Sequence, residues 1–428
     1  MRPRGQPLRG VRLVGAGMLL TSLALAAGLT AGGASSPPLL LGAVYPLHGE
    51  LGEYAADEAL GVDIAANLVN ADGGVGGRRV VLDVRDLSTV DEAAPALDSL
   101  RADGAVMVLG GFASDLSMAA SQAAAERGML YWEAGAVADR ITGRGLPLVF
   151  RVGATGGNLG ANSISFAATQ LAPRLGRPAS GMRVSLVVAD DLYARSVADA
   201  AVQNAQTAGM SVVSTSTYNL TETHFDSALA TLRTTRPDLL LLVSHVEDGV
   251  AFRRAFLAAG LHVGAFIGST MAECGMDFGA LLGADATGVF ASDRPGPGFD
   301  PSTLNFEGRV AFDRFAAAWA ERRGGPPSED GIAGFTAAWA LLHHVLPRAA
   351  AMGQLNPQGI AAVARAADLP AGSLPDGGGL RFATDPARLG QNLRAAAVIW
   401  QWQGVRHSVV VWPPAYATGI VTDVPLPK

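Results

Sequence analysis

The side chains of this chain that could do chemistry are few and scattered. Asp190-Asp191 is a carboxylate pair and His343-His344 an imidazole pair, and Gly73-Gly74-Val75-Gly76-Gly77 is a glycine cluster of the sort that can cradle phosphate. Each lacks its companions. The aspartates have no histidine or third carboxylate beside them in sequence, so they read as a loop. The histidines fall in a helical pattern and read as packing or surface residues. The glycines end a helix and enter a strand, whereas a phosphate loop runs from a strand into a helix N-terminus. No P-loop lysine motif, His-Glu-x-x-His or Gly-x-Ser-x-Gly occurs. Asn219-Leu220-Thr221 matches a glycosylation sequon over three residues only. The single cysteine, Cys274, excludes an intrachain disulfide framework and a Cys-rich metal site. The chemistry that remains is recognition, with no catalytic residue, metal or cofactor expected.

Position in the fold therefore matters more than motif. The chain alternates short apolar runs with helical spacing. Leu39–Tyr45, Val80–Val84, Ala105–Leu109 and Met129–Trp132 read as buried strands. Helices are expected between them over Tyr54–Asn70, Asp91–Ala102 and Ser114–Arg127, with Ser114 as an N-cap. The pattern restarts after Arg151. Strands follow at Val184–Val188, Ser211–Tyr218, Leu239–Val243 and Val263–Ile267, with helices over Ser196–Ala208, Phe225–Thr234 and Gly249–Ala259. Three more helices span Phe306–Arg322, Asp330–Leu346 and Gln354–Arg365, and a hairpin pairs Val398–Trp402 with His407–Trp412. The fold class is α/β, with two doubly wound parallel sheets in series. In such sheets the ligand crevice lies beyond the carboxyl ends of the strands. In the first unit those ends carry Leu47-His48-Gly49 and Tyr54, Gly110 to Ser114, and Glu133 to Val137. In the second they carry Asp190 to Tyr193, Ser244-His245 and Gly268 to Glu273. Two lobes facing each other would bring these groups onto one cleft.

Length and composition agree with two lobes. A single core stops growing near about 250–300 residues, and this chain has 428. Hydrophobic residues are 49% and charged residues 16%, which excludes intrinsic disorder. The net charge of −6 points away from a nucleic-acid partner. Arg2, Arg4, Arg9 and Arg12 precede nineteen uncharged residues, Leu13 to Ala31, and Gly32-Gly33-Ala34 offers a small-residue cleavage site. Residues 1–36 thus read as a secretory signal. The alternative is an uncleaved anchor, because a run of that length just spans a bilayer. The expected location is extracytoplasmic: secreted, cell-surface or periplasmic.

Several stretches resemble the leucine/isoleucine/valine-binding family, the type I extracytoplasmic solute-binding proteins of ABC importers. Gly42-Ala43-Val44-Tyr45-Pro46-Leu47-His48-Gly49 is similar to the family's first strand and Pro-Leu-x-Gly loop. Asn70-Ala71-Asp72-Gly73-Gly74-Val75-Gly76-Gly77-Arg78 resembles its Asn-Ala-x-Gly-Gly-Val-x-Gly-Arg helix exit. Gly135-Ala136 with Phe150-Arg151, the Asp190–Tyr193 loop, and Val411-Trp412-Pro413-Pro414 with Ala417-Thr418-Gly419 add matches in the right order, from about Leu39 to Gly419.

The resemblance implies two lobes joined by a three-strand hinge, and a monomer that delivers a small molecule to an ABC permease. The lobes it implies are residues 38–153 with 293–379, and 154–292 with 380–428. It also implies a ligand site of Tyr54, Ser114, Ala136, Val137, Tyr193, His245 and Thr270. Ser114 takes the place of the hydroxyl that receives a ligand carboxylate, and Tyr54 and Tyr193 the places of aromatics that close over the ligand. Two departures matter. Val137 stands where amino-acid binders usually have Thr, and Thr270 where they have an acidic partner for the ligand ammonium. A buried ammonium without an acceptor is costly. Glu273 could substitute if its loop folds inward. The expected ligand is therefore a small polar or carboxylate-bearing molecule. The rivals are a membrane-anchored sensor ectodomain of the same fold and, further off, an enzyme on a Rossmann-like fold.

Overall fold

The structure, a computed structural model, describes residues 36–221, 224–270, 275–296 and 298–427. The export segment, apart from Ser36, lies outside these described residues, as do Glu273 and Cys274.

The first sheet holds β1 (Leu39–Tyr45), β2 (Val80–Asp86), β3 (Met107–Gly110), β4 (Leu130–Glu133) and β5 (Val149–Arg151), all parallel, in the order β2-β1-β3-β4-β5. Alternate residues of one strand feed opposite layers, as the pleat requires. Leu130 and Trp132 pack into one layer, under α1 (Gly52–Ala71), while Tyr131 between them packs into the other, under α2 (Ala93–Ala102) and α3 (Ser114–Glu126). The exit of α1 is held by Asn70. Its side chain accepts from the Val80 N–H at 2.7 Å and donates to the Val80 carbonyl at 2.8 Å, standing in for a strand partner.

The second sheet repeats the same winding. β6 (Arg183–Ala189), β7 (Ser211–Tyr218), β8 (Leu239–Val243), β9 (Ala265–Ser269) and β10 (Phe290–Asp293) run parallel in the order β7-β6-β8-β9-β10. β11 (Val398–Gly404) and β12 (His407–Trp412) add antiparallel at its edge. This lobe carries α4 (Gly156–Phe166), the single turn α5 (Ala172–Arg174), α6 (Leu192–Thr207), α7 (Asp226–Thr235), α8 (Val246–Ala258) and α9 (Met276–Leu282).

The sequence reading left α4 unassigned; Gly156, Gly157 and Gly160 lower its helix propensity. Packing overrides that cost. A Cβ on Gly160 would stand 2.4 Å from the Val197 carbonyl of α6, so glycine is what lets the two helices meet. The three-residue β5 and the four-residue β10 were also left unassigned.

The chain passes between the lobes three times. After β5 it enters α4. After β10 it returns to the first lobe as α10 (Phe306–Arg323), α11 (Glu329–Trp339), α12 (Leu346–Ala351) and α13 (Pro357–Arg365), which join α1 over the first sheet. Before β11 it crosses a last time. The boundary drawn at 379/380 comes too early. Phe382 packs on Trp132 and Phe150 of the first sheet at 5.3 and 5.0 Å between ring centroids. Gln391 and Asn392 then pair with Arg151 as a short extra strand, Arg151 N donating to Gly390 O and Asn392 N to Arg151 O. The crossing follows Asn392.

Candidate functional site

Both sheets have the order in which the chain switches direction beside its first strand, and the crevice at that switch is where α/β sheets bind ligands. In the first lobe the switch lies between β1 and β3, in the second between β6 and β8. The two crevices face each other across a cavity of about 720 Å³. Tyr54, Ser114, Ala136, Val137, Tyr193, His245 and Thr270 all line it.

On the first lobe the wall joins two backbone loops to the side chains of Tyr54, Phe112 and Asp115. Gly110, Gly111 and Phe112 hold φ of 116°, 111° and 60° in succession, which turns the chain sharply from β3 into α3. The N-cap of α3 is Ala113, with extended backbone and no side-chain cap; Ser114 is the first helical residue, which corrects its assignment as the cap. Ser114 is 6% exposed, and its hydroxyl oxygen accepts from the Ala138 N–H at 3.2 Å. Its hydroxyl proton is left to donate, beside first-turn N–H groups that a helix leaves without intrahelical partners.

The neighbouring loop, Ala134 to Ala138, is clamped from both sides. The buried Glu133 carboxylate accepts three consecutive N–H groups, from Ala134, Gly135 and Ala136, at 2.9–3.0 Å, and the Tyr131 hydroxyl at 2.9 Å. Burial nevertheless pushes its carboxyl above the ordinary value. The buried Arg151 guanidinium donates to the carbonyls of Ala136 and Ala138 at 3.3 and 2.7 Å, to Thr142 Oγ1 at 3.1 Å and to Gln391 Oε1 at 2.7 Å. Burial lowers it to about 10. A third group, Arg294 at the end of β10, donates to the Gly135 carbonyl at 2.9 Å and pairs with Glu329 and Asp330 of α11 at 2.6 and 3.2 Å.

On the second lobe the wall is made of side chains. Asp191 caps α6 by accepting the Ala194 N–H at 2.7 Å, and its other oxygen meets His245 Nε2 at 3.1 Å. Burial works against the imidazolium, but Asp191, Asp248 and Asp115 outweigh it, so His245 is held above its ordinary value. Tyr193 packs edge-on against His245, with ring centroids 5.4 Å apart, and its hydroxyl donates to the carbonyls of Ser244 and Ser269. Thr270 is 4% exposed, with φ of 26°, and its N–H donates to the Ser292 carbonyl at 3.1 Å. Tyr54 reaches across the cleft, donating its hydroxyl to Asp277 at 2.8 Å; burial and that carboxylate hold the phenol above its ordinary value.

Sequence reasoning placed Asp191 in a loop without its role, and missed Arg294 altogether. The aspartate's histidine partner lies 54 residues away in sequence, at the end of another strand. Arg294 follows a four-residue strand and stands just before Pro295 and Gly296, where nothing announces a buried cation. Among the described residues no three His, Cys, Asp or Glu side chains form a metal-holding group, and no helix is long and apolar enough to cross a membrane.

Two doubly wound lobes, three crossings and a cavity between the sheet ends define a bilobal solute-binding protein. The periplasmic binding protein family model matches residues 38–399, and the chain belongs to that family. Its members bind solutes and are not enzymes. The chain is 30% identical over 396 residues to the Leu/Ile/Val-binding protein homolog 8 of Brucella suis, covering 92% of this chain and 94% of that one. Among solved structures it is similar to a putative branched-chain amino acid ABC transporter protein from Silicibacter pomeroyi, with a TM-score of 0.72, 19% identity and coverage of 91% and 99%. It is also similar to a solute-binding protein from R. palustris in complex with benzoate, with a TM-score of 0.69, 19% identity and coverage of 90% and 98%.

Proposed function

We propose that this protein is an exported, monomeric receptor that closes its two lobes on a small ligand with an anionic end and hands it to an ABC importer. One observation carries the ligand reading. The Ser114 hydroxyl and the N-terminus of α3 on one wall share a cavity with a histidine on the other that is biased towards its charged form. A helix N-terminus and an imidazolium both favour a carboxylate. The position where amino-acid binders carry an ammonium acceptor is Thr270, so an α-amino group would have to be met by other carboxylates of the cavity, such as Asp115 or Asp248. Benzoate, the ligand of the R. palustris protein, is likewise a carboxylate without an ammonium. Lobe closure about the three crossings follows from this arrangement.

The test is a thermal-shift screen over amino acids, amides, and short-chain and aromatic carboxylates. A ligand at about 100 times its dissociation constant adds about 2.7 kcal/mol of stability. Carboxylates should stabilise the protein and alkylamines of equal length should not. Stabilisation by amines alone would contradict the reading. Export is checked by N-terminal sequencing of secreted material, which should begin near Ser35.

A further inference from the structure

Glu58 of α1 has no exposed surface, and α11 is packed against it: a Cβ on Gly334 would stand 2.9 Å from its Cγ. Its carboxyl reaches the Ala134–Ala138 loop. A Cβ on Gly135 would stand 2.0 Å from Glu58 Oε2, so the carboxyl fills the space that a side chain there would need. Gly135, Ala136 and Val137 line the ligand cavity, and Glu58 lies behind them.

Two buried carboxyls meet this loop, in opposite circumstances. Glu133 accepts three backbone N–H groups and the Tyr131 hydroxyl. Glu58 accepts none of them. Both its oxygens are buried and unpartnered among the described residues, and the Tyr45 hydroxyl of β1 stands beside them without an aligned bond. The charged and titratable groups that face it from the other elements are Tyr131 and Glu133 of β4, Asp330 of α11 and Arg294 after β10. Arg294, the cation of this set, is committed to Glu329, Asp330 and the Gly135 carbonyl. A carboxylate without water, N–H donors or a free cation is costly, and a group so placed keeps its proton instead. Burial and the neighbouring Glu133 accordingly push Glu58 well above the ordinary carboxyl range.

We infer that Glu58 is a positioning residue of the ligand loop, kept as a neutral carboxylic acid that fills the space behind Gly135 while Arg294 holds that residue's carbonyl. No charge then stands behind the loop where an anionic ligand end is received; this part of the inference rests on the proposed carboxylate reading. Ionised, Glu58 would set a second negative charge against Glu133 and against the ligand.

The experiment follows urea denaturation of the full mature chain, wild type and Glu58→Gln, from pH 5 to pH 8. An unfolded glutamate releases its proton at about 4.3, whereas the folded one keeps it, so folding takes up a proton across this window. Wild type should therefore lose stability relative to the variant as pH rises, by up to about tenfold in the folding equilibrium constant per pH unit. A gap that does not move with pH, or that moves in favour of the wild type, overturns the inference. So does failure of both Glu58→Gln and the apolar Glu58→Met to fold, since the place of a neutral carboxyl accepts either. Positioning is read by hydrogen exchange at the Ala136 and Ala138 amides and by calorimetry with benzoate. Glu58→Ala empties the space behind Gly135. It should speed that exchange and weaken benzoate roughly tenfold, the equivalent of one lost hydrogen bond. Glu58→Gln should match the wild type in both. Unchanged exchange in Glu58→Ala, or a Glu58→Gln as impaired as Glu58→Ala, contradicts the positioning role. Failure of the carboxylate reading looks different: benzoate would not bind the wild type, while the pH-dependent gap and the exchange pattern would remain.

Discussion

The two lobes wind their strands in the same order, yet the loops they bring to the cavity are held in different ways. The first presents a backbone loop whose N–H groups and carbonyls are taken up from behind by Glu133 and Arg151. The second presents side chains, Asp191, His245 and Tyr193, that lean on one another. The difference assigns roles. Buried charges clamp a shape that need not change, and fully satisfied buried networks are rigid. The second wall carries titratable groups, Asp191 and His245, that line the same cavity as the clamped loop.

This contrast can be broken first at Arg151. Arg151→Ala leaves the Ala136 carbonyl without a donor and takes one of two donors from the Ala138 carbonyl and from the Gln391 amide oxygen. It should cost about 3–5 kcal/mol of stability, read by urea denaturation. A loss under about 1 kcal/mol would mean that the loop holds itself. On the opposite wall Tyr193→Phe removes only a hydroxyl shared by two carbonyls, and should cost about 1–2 kcal/mol.

The pH response sharpens the comparison further. The folded value of His245 is raised, so its stabilisation is fully present below the unfolded value of about 6.5 and is lost as pH rises through the folded value. The stability difference between wild type and His245→Gln should therefore shrink from pH 6 to pH 8, followed by thermal melts. A difference that grows with pH would show that Asp191 does not hold the imidazolium. The smallest effect is expected at the rim. Asp190→Ala removes an exposed pair with Arg195 and should leave melting temperature and binding unchanged.

Much of the architecture was legible because parallel strands buried on both faces are apolar runs, and those runs sit where strand ends must converge. That logic alone brought Tyr54, Ser114, Tyr193 and His245 to one cavity. What stayed hidden was set by tertiary contact. Gly160 reads as a helix breaker until α6 lies against it. The stretch from 366 to 397 has no period, and its lobe is decided by Phe382 and by the side chains of Gln391 and Asn392. Ser114 read as a cap from its place after a strand. The extended Ala113 starts the helix instead and frees the serine to face the cavity.

The most direct test of the whole account is calorimetry of Ser114→Ala with a carboxylate that stabilises the wild type. Removing a hydroxyl that bonds a charged group should weaken binding roughly ten- to a hundredfold, at about 1.5–3 kcal/mol. Folding stability should fall by only about 1 kcal/mol, from the lost bond to the Ala138 N–H. Unchanged affinity would mean that Ser114 merely braces the loop, and that the N-terminus of α3 is not where the ligand's anionic end is held.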